Sequence, residues 1–256
     1  MSQPSLVNAT EYADGVICVD TGYVRDRLAG AYVLEAGDRA AIIETGTSAT
    51  VPRLMKVLEQ RGWAPEQVEY VIVTHVHLDH AGGAGLLLQE LPNATFVVHP
   101  RGARHMIDPS RLEASVRAVY SDEYFEKTFA PLLPIDPERT REMNDGDRLQ
   151  VGDRELSFID TPGHARHHFC VWDEQSRGWF TGDTFGISYR EFDTANGPFI
   201  FPTTTPIELD PPRLRESVQR LLKHKPEWMY LTHYGRVGEP ERLAEQLLAT
   251  LDALVA

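Results

Sequence analysis

The densest group of chemically capable side chains follows one apolar run. Residues 71–74 (Val-Ile-Val-Thr) are rich in β-branched side chains, which favour a strand. Immediately after them come three histidines and one aspartate within six residues, namely His75, His77, Asp79 and His80. Imidazole nitrogens and carboxylate oxygens are ligands for Zn²⁺, Fe and Mn²⁺. The segment therefore predicts a site for one divalent ion, or for parts of the coordination shells of two.

Three further apolar runs end in the same way. Residues 156–159, 178–180 and 228–231 each read as a strand, and each is followed by a turn that contains a threonine. The turns present one histidine or aspartate apiece, namely His164, Asp183 and His233. Because reacting groups in layered α/β folds gather where strands end, we expect these side chains to lie near the first group. Core packing does not account for five histidines and two aspartates at four strand ends.

The elements that must position these residues follow a similar order in both halves of the chain. Apolar patterning predicts strands at residues 16–19, 31–34, 40–43, 68–74, 95–99, 149–151, 156–159, 169–172, 178–180 and 228–231. It predicts helices at residues 51–61, 80–91, 213–224 and 241–255. This order indicates a duplicated layered fold in which two sheets pack together and helices lie outside. Residues 1–256 are predicted to form one domain.

Two segments depart from this pattern. Residues 101–140 carry apolar positions at helical spacing and end in three prolines, which predicts a helical insertion too short to have its own core. Residues 186–206 form a long irregular stretch, and loops of such length in compact domains are often functional. We expect these two segments to build the substrate pocket.

Composition excludes several classes of function. The chain has 256 residues, with 25 Lys plus Arg against 38 Asp plus Glu, which gives a formal net charge of −13. This acidity disfavours nucleic acids and anionic membranes as partners. Cys18 and Cys170 are too few for a disulfide framework and are expected to be free thiols. No signal peptide is visible in residues 1–15 and no apolar run is long enough to span a bilayer, so we expect a cytoplasmic protein.

The motifs resemble those of the metallo-β-lactamase superfamily, which includes glyoxalase II-like and lactonase-like hydrolases. The resemblance rests on residues 74–83 (Thr-His-Val-His-Leu-Asp-His-Ala-Gly-Gly), 161–164 (Thr-Pro-Gly-His), 182–184 (Gly-Asp-Thr) and 232–233 (Thr-His). These motifs occur in the expected order and run through most of the chain. The resemblance implies an α/β fold, a four-layer αββα sandwich, with a dinuclear metal site at one edge.

The resemblance also implies a ligand set and a reaction. One metal would be bound by His75, His77 and His164, the second by Asp79, His80 and His233, with Asp183 bridging the two. It implies two divalent metal ions per chain, with zinc favoured and iron or manganese left open. The implied enzyme is a hydrolase in which a metal-bridging hydroxide attacks an ester, thioester or lactone, or less favourably a phosphoester. Asp79 would orient this nucleophile or accept its proton, and no catalytic serine or cysteine is needed.

Two other functions stay open on the sequence. The superfamily also contains iron-dependent oxidoreductases of the sulfur dioxygenase type, which keep similar ligands and would be identified by iron and thiol-dependent O₂ uptake. It also contains members that look like non-catalytic effectors or sensors. Nucleases of the superfamily are disfavoured by the charge of −13. The expected partner is a small-molecule substrate, and a homodimer is left open.

Several residues near the motifs have roles that the sequence does not decide. Glu44 stands where the superfamily often has Asp, and it is interpreted equally as support for a ligand or as an exposed residue. His168 matches a supporting position. His167, Tyr189 and Tyr234 are candidates for substrate contact, and either tyrosine is placed to donate a hydrogen bond to an oxyanion.

Overall fold

The structure, a computed structural model, describes residues 8–204 and 208–256. Within these ranges the chain forms two mixed β-sheets and eight α-helices. Residues 205 and 206 of the predicted irregular loop lie outside the described residues, as do residues 1–7 of the N-terminal segment. No helix in the described ranges is long and apolar enough to cross a membrane.

The first sheet contains seven strands that follow one another in chain order. They are β1 (Ala9–Glu11), β2 (Val16–Asp20), β3 (Gly30–Ala36), β4 (Arg39–Ile43), β5 (Val68–Ile72), β6 (Thr95–Val98) and β7 (Thr140–Glu142). Strands β1 to β4 pair antiparallel, and β4 to β7 pair parallel. The carboxyl ends of β4, β5 and β6 therefore meet at one edge of this sheet.

The second sheet contains six strands in the spatial order β13-β12-β11-β10-β9-β8. They are β8 (Arg148–Val151), β9 (Arg154–Asp160), β10 (Phe169–Asp173), β11 (Gly178–Gly182), β12 (Trp228–Leu231) and β13 (Gly235–Val237). Strands β11 and β12 are parallel, and the other neighbours are antiparallel. Strands β9, β11 and β12 therefore run in the same direction, so their carboxyl ends share one edge.

The helices cover the outer faces of the two sheets. They are α1 (Val51–Arg61), α2 (Leu78–Ala81), α3 (Ala84–Glu90), α4 (Pro100–Ile107), α5 (Ser110–Tyr120), α6 (Asp122–Thr128), α7 (Pro211–Leu222) and α8 (Pro240–Val255). Leu54 of α1, Leu87 of α3 and Met106 of α4 belong to the apolar layer on the first sheet. Val218 of α7 and Leu247 of α8 belong to the layer on the second.

A third apolar layer lies between the sheets and completes the sandwich. It contains Leu34 and Ile43 of the first sheet and Phe158, Phe180 and Tyr230 of the second, all of them buried. Burial of side chains in three stacked layers is the arrangement that stabilises a four-layer fold. The predicted αββα sandwich is confirmed.

The helical character of the insertion is also confirmed, although its end differs from the prediction. Helices α4 to α6 occupy its first part, and residue 140 at its predicted end begins β7 at the edge of the first sheet. Phe125, Phe129 and Leu132 pack with Leu78 of α2 in a small separate cluster. The insertion therefore packs against the segment that contains the candidate ligands His77 and Asp79.

One predicted helix is wrong in detail. The segment 80–91 is two helices, α2 and α3, which are separated at Gly82 and Gly83. The Gly83 amide donates a hydrogen bond to the Gly46 carbonyl at 2.8 Å, and a Cβ at Gly83 would lie 2.7 Å from the Thr47 carbonyl oxygen. Packing against residues 46–47 therefore imposes the break. Because α2 begins at Leu78, two candidate ligands, Asp79 and His80, lie inside it.

Strand predictions err mainly where strands are short. Strands β1, β7 and β13 have three residues each, too few to show an alternating pattern, and the sequence does not predict them. The predicted strand 68–74 ends at Ile72, and the two histidines at 75 and 77 lie in the segment between this strand and α2. Cys18 and Cys170 are free, as predicted.

Candidate metal centre

Four strand ends bring the predicted ligands to one place. His75 and His77 follow β5 of the first sheet, and His77 directly precedes α2. His164 lies in the turn between β9 and β10, while Asp183 and His233 follow β11 and β12. The site therefore lies at the common edge of both sheets, where carboxyl ends of strands from each sheet meet.

The first group of ligand atoms consists of three histidines and one carboxylate. His75 Nε2 lies 2.8 Å from His77 Nδ1, and His164 Nε2 lies 3.1 Å from the same atom. Asp183 Oδ2 lies 3.2 Å from His164 Nε2. The four ligand atoms all lie within 4.8 Å of one another.

The second group uses the other oxygen of the same aspartate. Asp183 Oδ1 lies 3.2 Å from His233 Nε2 and 3.4 Å from His80 Nε2. Asp79 Oδ2 lies 3.7 Å from His80 Nε2 and 3.8 Å from His233 Nε2. Asp183 thus faces both groups, which is the arrangement that the bridging role requires.

These separations fit a bound metal ion. Tetrahedral coordination with bonds of 2.0–2.1 Å places ligand atoms about 3.3 Å apart, close to the distances within each group. His80 Nε2 and Asp183 Oδ1 are buried and, among the described residues, lack a hydrogen-bond partner. A buried polar atom without a partner is costly unless something occupies its lone pair. The residues present therefore suit a divalent cation.

Glu44 contacts His80 of the second group through the ring nitrogen that faces away from Asp183. It is 1% exposed, so the interpretation of Glu44 as an exposed residue is wrong. Its Oε1 lies 3.2 Å from His80 Nδ1 and accepts hydrogen bonds from Thr74 Oγ1 at 2.5 Å and Thr232 Oγ1 at 3.3 Å. With Nδ1 of His80 turned to this carboxylate, Nε2 points at the candidate metal position. Such outer contacts fix the tautomer and orientation of a ligating histidine.

Other histidines of the site are held through the ring nitrogen that faces away from the ligand groups. His233 Nδ1 lies 2.8 Å from the Leu28 carbonyl oxygen, and His164 Nδ1 lies 3.5 Å from that of Thr203. His75 Nδ1 lies 3.1 Å from Thr74 Oγ1. The sequence carries no signal for Leu28 and Thr203, because they act through backbone carbonyls of distant segments.

Two glycines allow the backbone to approach closely. Gly182 has φ +47°, and a Cβ there would lie 2.3 Å from Thr74 Oγ1 and 2.6 Å from His168 Nε2. Gly163 has φ +135°, and a Cβ there would lie 2.4 Å from the backbone of Leu214. Only glycine fits these positions without strain, and they directly precede the ligands Asp183 and His164.

His168 supports the bridging aspartate without joining a ligand group. It is fully buried, and its Nε2 accepts a hydrogen bond from the Asp183 amide at 3.2 Å. Its Nδ1 lies 2.9 Å from Thr161 Oγ1. His168 therefore ties the turn after β9 to the end of β11, in agreement with the predicted supporting position.

The electrostatics differ between the two groups. Burial lowers the pKa of His75 well below its usual range and also lowers that of His77, so both imidazoles are neutral and keep a lone pair for a metal. Burial alone would lower the pKa of His80, but the carboxylates of Asp79 and Asp183 raise it well above its usual range. The second group is thus an acidic pocket in which a cation stabilises the buried carboxylates.

A cavity of about 470 Å³ opens onto the ligands. Its wall includes His77, Asp79, His164 and Asp183, and apolar side chains from the loop after β2, the insertion and the loop after β11 line the rest of it. These side chains include Tyr23, Leu112, Val116, Phe129, Ile187 and Phe201. The described parts of both predicted segments thus line this cavity.

The three candidates for substrate contact are placed differently. Tyr189 lines the cavity. Tyr234 lies behind it, where its ring is 5.3 Å from that of Tyr189 and its hydroxyl is hydrogen-bonded to the Arg25 guanidinium. His167 lies on the far side of the ligands, with its ring 5.7 Å from that of His77, and burial lowers its pKa to about 4. Tyr189 is therefore the one of the three that borders the cavity at the ligands.

Comparisons with known proteins agree with this geometry. A family model described as the metallo-beta-lactamase superfamily matches residues 24–233. The chain is 29% identical over 186 residues to metallo-beta-lactamase fold-containing protein ST1585 of Sulfurisphaera tokodaii, a match that covers 71% of this chain and 66% of that protein. The crystal structure of ST1585 aligns with a TM-score of 0.74 at 25% identity and covers 96% of this chain and 88% of that one.

Several relatives carry the names of enzymes. Hydroxyacylglutathione hydrolase of Klebsiella pneumoniae is 26% identical over 150 residues, covering 59% of this chain and 44% of that enzyme. Acyl-coenzyme A thioesterase MBLAC2 of Gallus gallus is 30% identical over 120 residues, covering 44% and 40%. The chain thus spans less than half the length of either enzyme and just under two thirds of ST1585. On the family match and the fold, the chain belongs to the metallo-β-lactamase superfamily.

Proposed function

We propose that this protein is a metal-dependent hydrolase of an ester, thioester or lactone, and that its substrate is a thioester. The observation that carries the proposal is that the two carboxylate oxygens of Asp183 face two groups of candidate ligands, one oxygen to each group, beside an open cavity. Two divalent ions, with zinc expected, would be held by His75, His77 and His164 on one side and by Asp79, His80 and His233 on the other. The reaction is RCO–SR′ + H₂O → RCOOH + R′SH.

The chain's own residues divide the work of this reaction. When bound, divalent ions supply a water of lowered pKa and polarise the carbonyl oxygen of the substrate. Asp79 faces the cavity with 23% of its side chain exposed, so its carboxylate is placed to orient the attacking water and take up its proton. Tyr189 is the candidate donor to the developing oxyanion.

The shape of the cavity favours an apolar acyl group. Aromatic and aliphatic side chains of the insertion and the loop after β11 line the same cavity as four of the candidate ligands. An acyl chain buried there would gain about 0.8 kcal/mol for each buried methylene. The apolar lining would also exclude bulk water from the reacting carbonyl.

The relatives favour a thioester over a lactone. Both enzyme names among them, hydroxyacylglutathione hydrolase and acyl-coenzyme A thioesterase, denote hydrolysis of a thioester. The conclusion for this chain rests on the ligand geometry, and the relatives only rank the substrates.

A substrate panel tests this proposal. Protein purified without added metal is assayed for metal content and for release of thiol or acid from acyl-thioesters, lactones and phosphodiesters. We expect bound divalent metal and the highest kcat/KM on thioesters. Iron together with thiol-dependent O₂ uptake and no hydrolysis would overturn the proposal in favour of a sulfur dioxygenase. Absence of both activities would overturn it in favour of a metal-binding effector.

A further inference from the structure

A larger cleft lies beside the metal centre. Its volume is about 1030 Å³, and it is formed by the start of α4, the turn at residues 162–167 and residues 208–213 at the start of α7. This turn also carries His164 of the metal centre. Residues of this one turn therefore border both openings, and His167 in the cleft is 5.7 Å from His77, measured between ring centroids.

The charge of the cleft is opposite to that of the chain as a whole. Four arginines line it, namely Arg101, Arg104, Arg166 and Arg213, against the carboxylates of Glu208 and Asp210. The chain carries a net charge of −13, so repulsion would keep a polyanion away from most of its surface. The cleft is a local exception to that repulsion.

Among residues 8–204 and 208–256, three of these guanidinium groups have no carboxylate partner. Arg213 Nε lies 3.5 Å from Asp210 Oδ2. By contrast, Arg101 donates to the Arg166 carbonyl at 3.3 Å and Arg104 to His105 Nε2 at 3.2 Å. In the described part of the chain, neither they nor Arg166 form an ion pair with a carboxylate, and all three are exposed.

Glu208, an acidic side chain that lines the cleft, contacts a backbone amide and a histidine and forms no ion pair with these three guanidinium groups in the described part of the chain. Glu208 Oε2 accepts a hydrogen bond from the backbone amide of Arg166 at 3.3 Å and lies 3.9 Å from His167 Nε2. Its carboxylate thus supports the turn that also carries His164. The guanidinium groups of Arg101, Arg104 and Arg166 stay available to an external anion.

We propose that this cleft binds the phosphorylated end of the thiol carrier to which the acyl group is attached, a nucleotide-bearing thiol of the coenzyme A class. This inference rests on the proposed thioesterase function. Guanidinium groups match phosphate oxygens in pairs, and three of them suit a ligand with several phosphates. The carbonyl would lie at the metal centre, the acyl chain in the apolar cavity and the carrier across the turn at residues 162–167.

A binding titration tests the cleft without requiring turnover. Adenosine 3′,5′-diphosphate is titrated into the metal-loaded protein by calorimetry. The variant carries Arg101→Gln, Arg104→Gln and Arg166→Gln. The control carries Arg39→Gln, Arg148→Gln and Arg177→Gln, which remove the same charge from half-buried and exposed sites outside the cleft. We expect the Kd to rise at least tenfold in the cleft variant and to stay within about twofold in the control.

Two outcomes of the titration would overturn the inference. They are the absence of nucleotide binding to the parent protein, and an equal loss of affinity in the cleft variant and the control. Thermal unfolding of both variants is measured alongside. A cleft variant that melts at the parent temperature and loses the nucleotide supports the inference.

A kinetic comparison separates phosphate from carboxylate as the recognised group. Three thioesters with the same acyl chain are compared, on coenzyme A, on pantetheine without a nucleotide, and on glutathione. In the cleft variant we expect a tenfold or greater rise in KM for the first and unchanged values for the other two. A rise confined to the glutathione thioester would overturn the assignment to phosphate. If the parent hydrolyses none of the three, the proposed function fails while the titration still decides the cleft.

Discussion

The two faces of the turn at residues 161–168 hold their side chains in different ways. On the inner face, His164 is 2% exposed and joins buried ligands whose ring nitrogens are fixed by hydrogen bonds. On the outer face, Arg166 extends into solvent within a wide cleft that the exposed Arg101 of α4 also lines. This difference indicates that the side chains of the metal centre are positioned before a ligand arrives. Recognition in the cleft relies instead on attraction between the exposed arginines and an anionic ligand.

Removal of Asp183, the proposed bridging aspartate, should have the largest effect on the inner face and none on the cleft. Asp183→Ala deletes the carboxylate that faces both ligand groups, so neither group is complete. We expect thioesterase activity to fall by at least about 100-fold, since loss even of an outer contact costs 10–100-fold in such sites. Bound metal should fall below that of the parent in elemental analysis.

The exposed Asp153→Ala is the matched control for that change. It should keep both metal content and rate, and nucleotide affinity in the cleft should survive in both variants. Full activity in Asp183→Ala would contradict the assignment of this residue to the centre.

Removal of the charge of Glu44 tests how far the inner face depends on its supports. Glu44→Gln keeps the size of the side chain but removes the carboxylate that lies 3.2 Å from His80 Nδ1. We expect the affinity for metal to fall by about 10- to 100-fold. Competition with a chromophoric chelator measures it, and an unchanged affinity would show that the buried carboxylate does not orient His80.

A backbone change tests the close approach that the inner face requires. Gly182→Ala places a Cβ 2.3 Å from Thr74 Oγ1, whereas Gly62 has φ +75° with nothing within 4 Å of an added Cβ. Gly62→Ala therefore costs only the left-handed backbone, about 1–2 kcal/mol. Gly182→Ala should lower the free energy of unfolding by about 1–3 kcal/mol more. Equal losses of unfolding free energy in the two variants, measured by urea denaturation, would contradict the close contact between Gly182 and Thr74.

Salt should affect the outer face far more than the inner one. Contacts between exposed guanidinium groups and phosphate are screened over a Debye length of about 10 Å at 0.1 M salt. We expect KM for a coenzyme A thioester to rise several-fold, on the order of 3- to 10-fold, between 0.05 and 0.5 M salt, with kcat nearly constant. The pantetheine thioester is the control, and a parallel rise in its KM would remove the electrostatic role of the cleft.

The sequence predicts that the candidate ligands lie together because each lies next to a recognisable strand end, and the structure groups them. His75, His164, Asp183 and His233 all follow apolar runs, and the fold brings those runs to one edge. The pattern of an apolar run followed by a histidine or aspartate is thus enough to predict that these residues lie close together.

The outer contacts were harder to predict because they are made by backbone atoms of distant segments. The carbonyl oxygen of Leu28 lies 2.8 Å from His233 Nδ1. Because this is a backbone atom, the identity of residue 28 does not predict the contact. The break between α2 and α3 likewise depends on packing against residues 46–47. The arginine cleft is assembled from three separate segments, so no single stretch of sequence shows it.

Metal dependence of hydrolysis tests the central claim most directly. Divalent metal is added in steps to chelator-stripped protein, and the rate of thioester hydrolysis is followed at each step. Two ligand groups that share Asp183 predict no rate without metal and a rate that saturates at two equivalents per chain. Hydrolysis at the full rate by the stripped protein, or no rate at any metal content, would contradict the account.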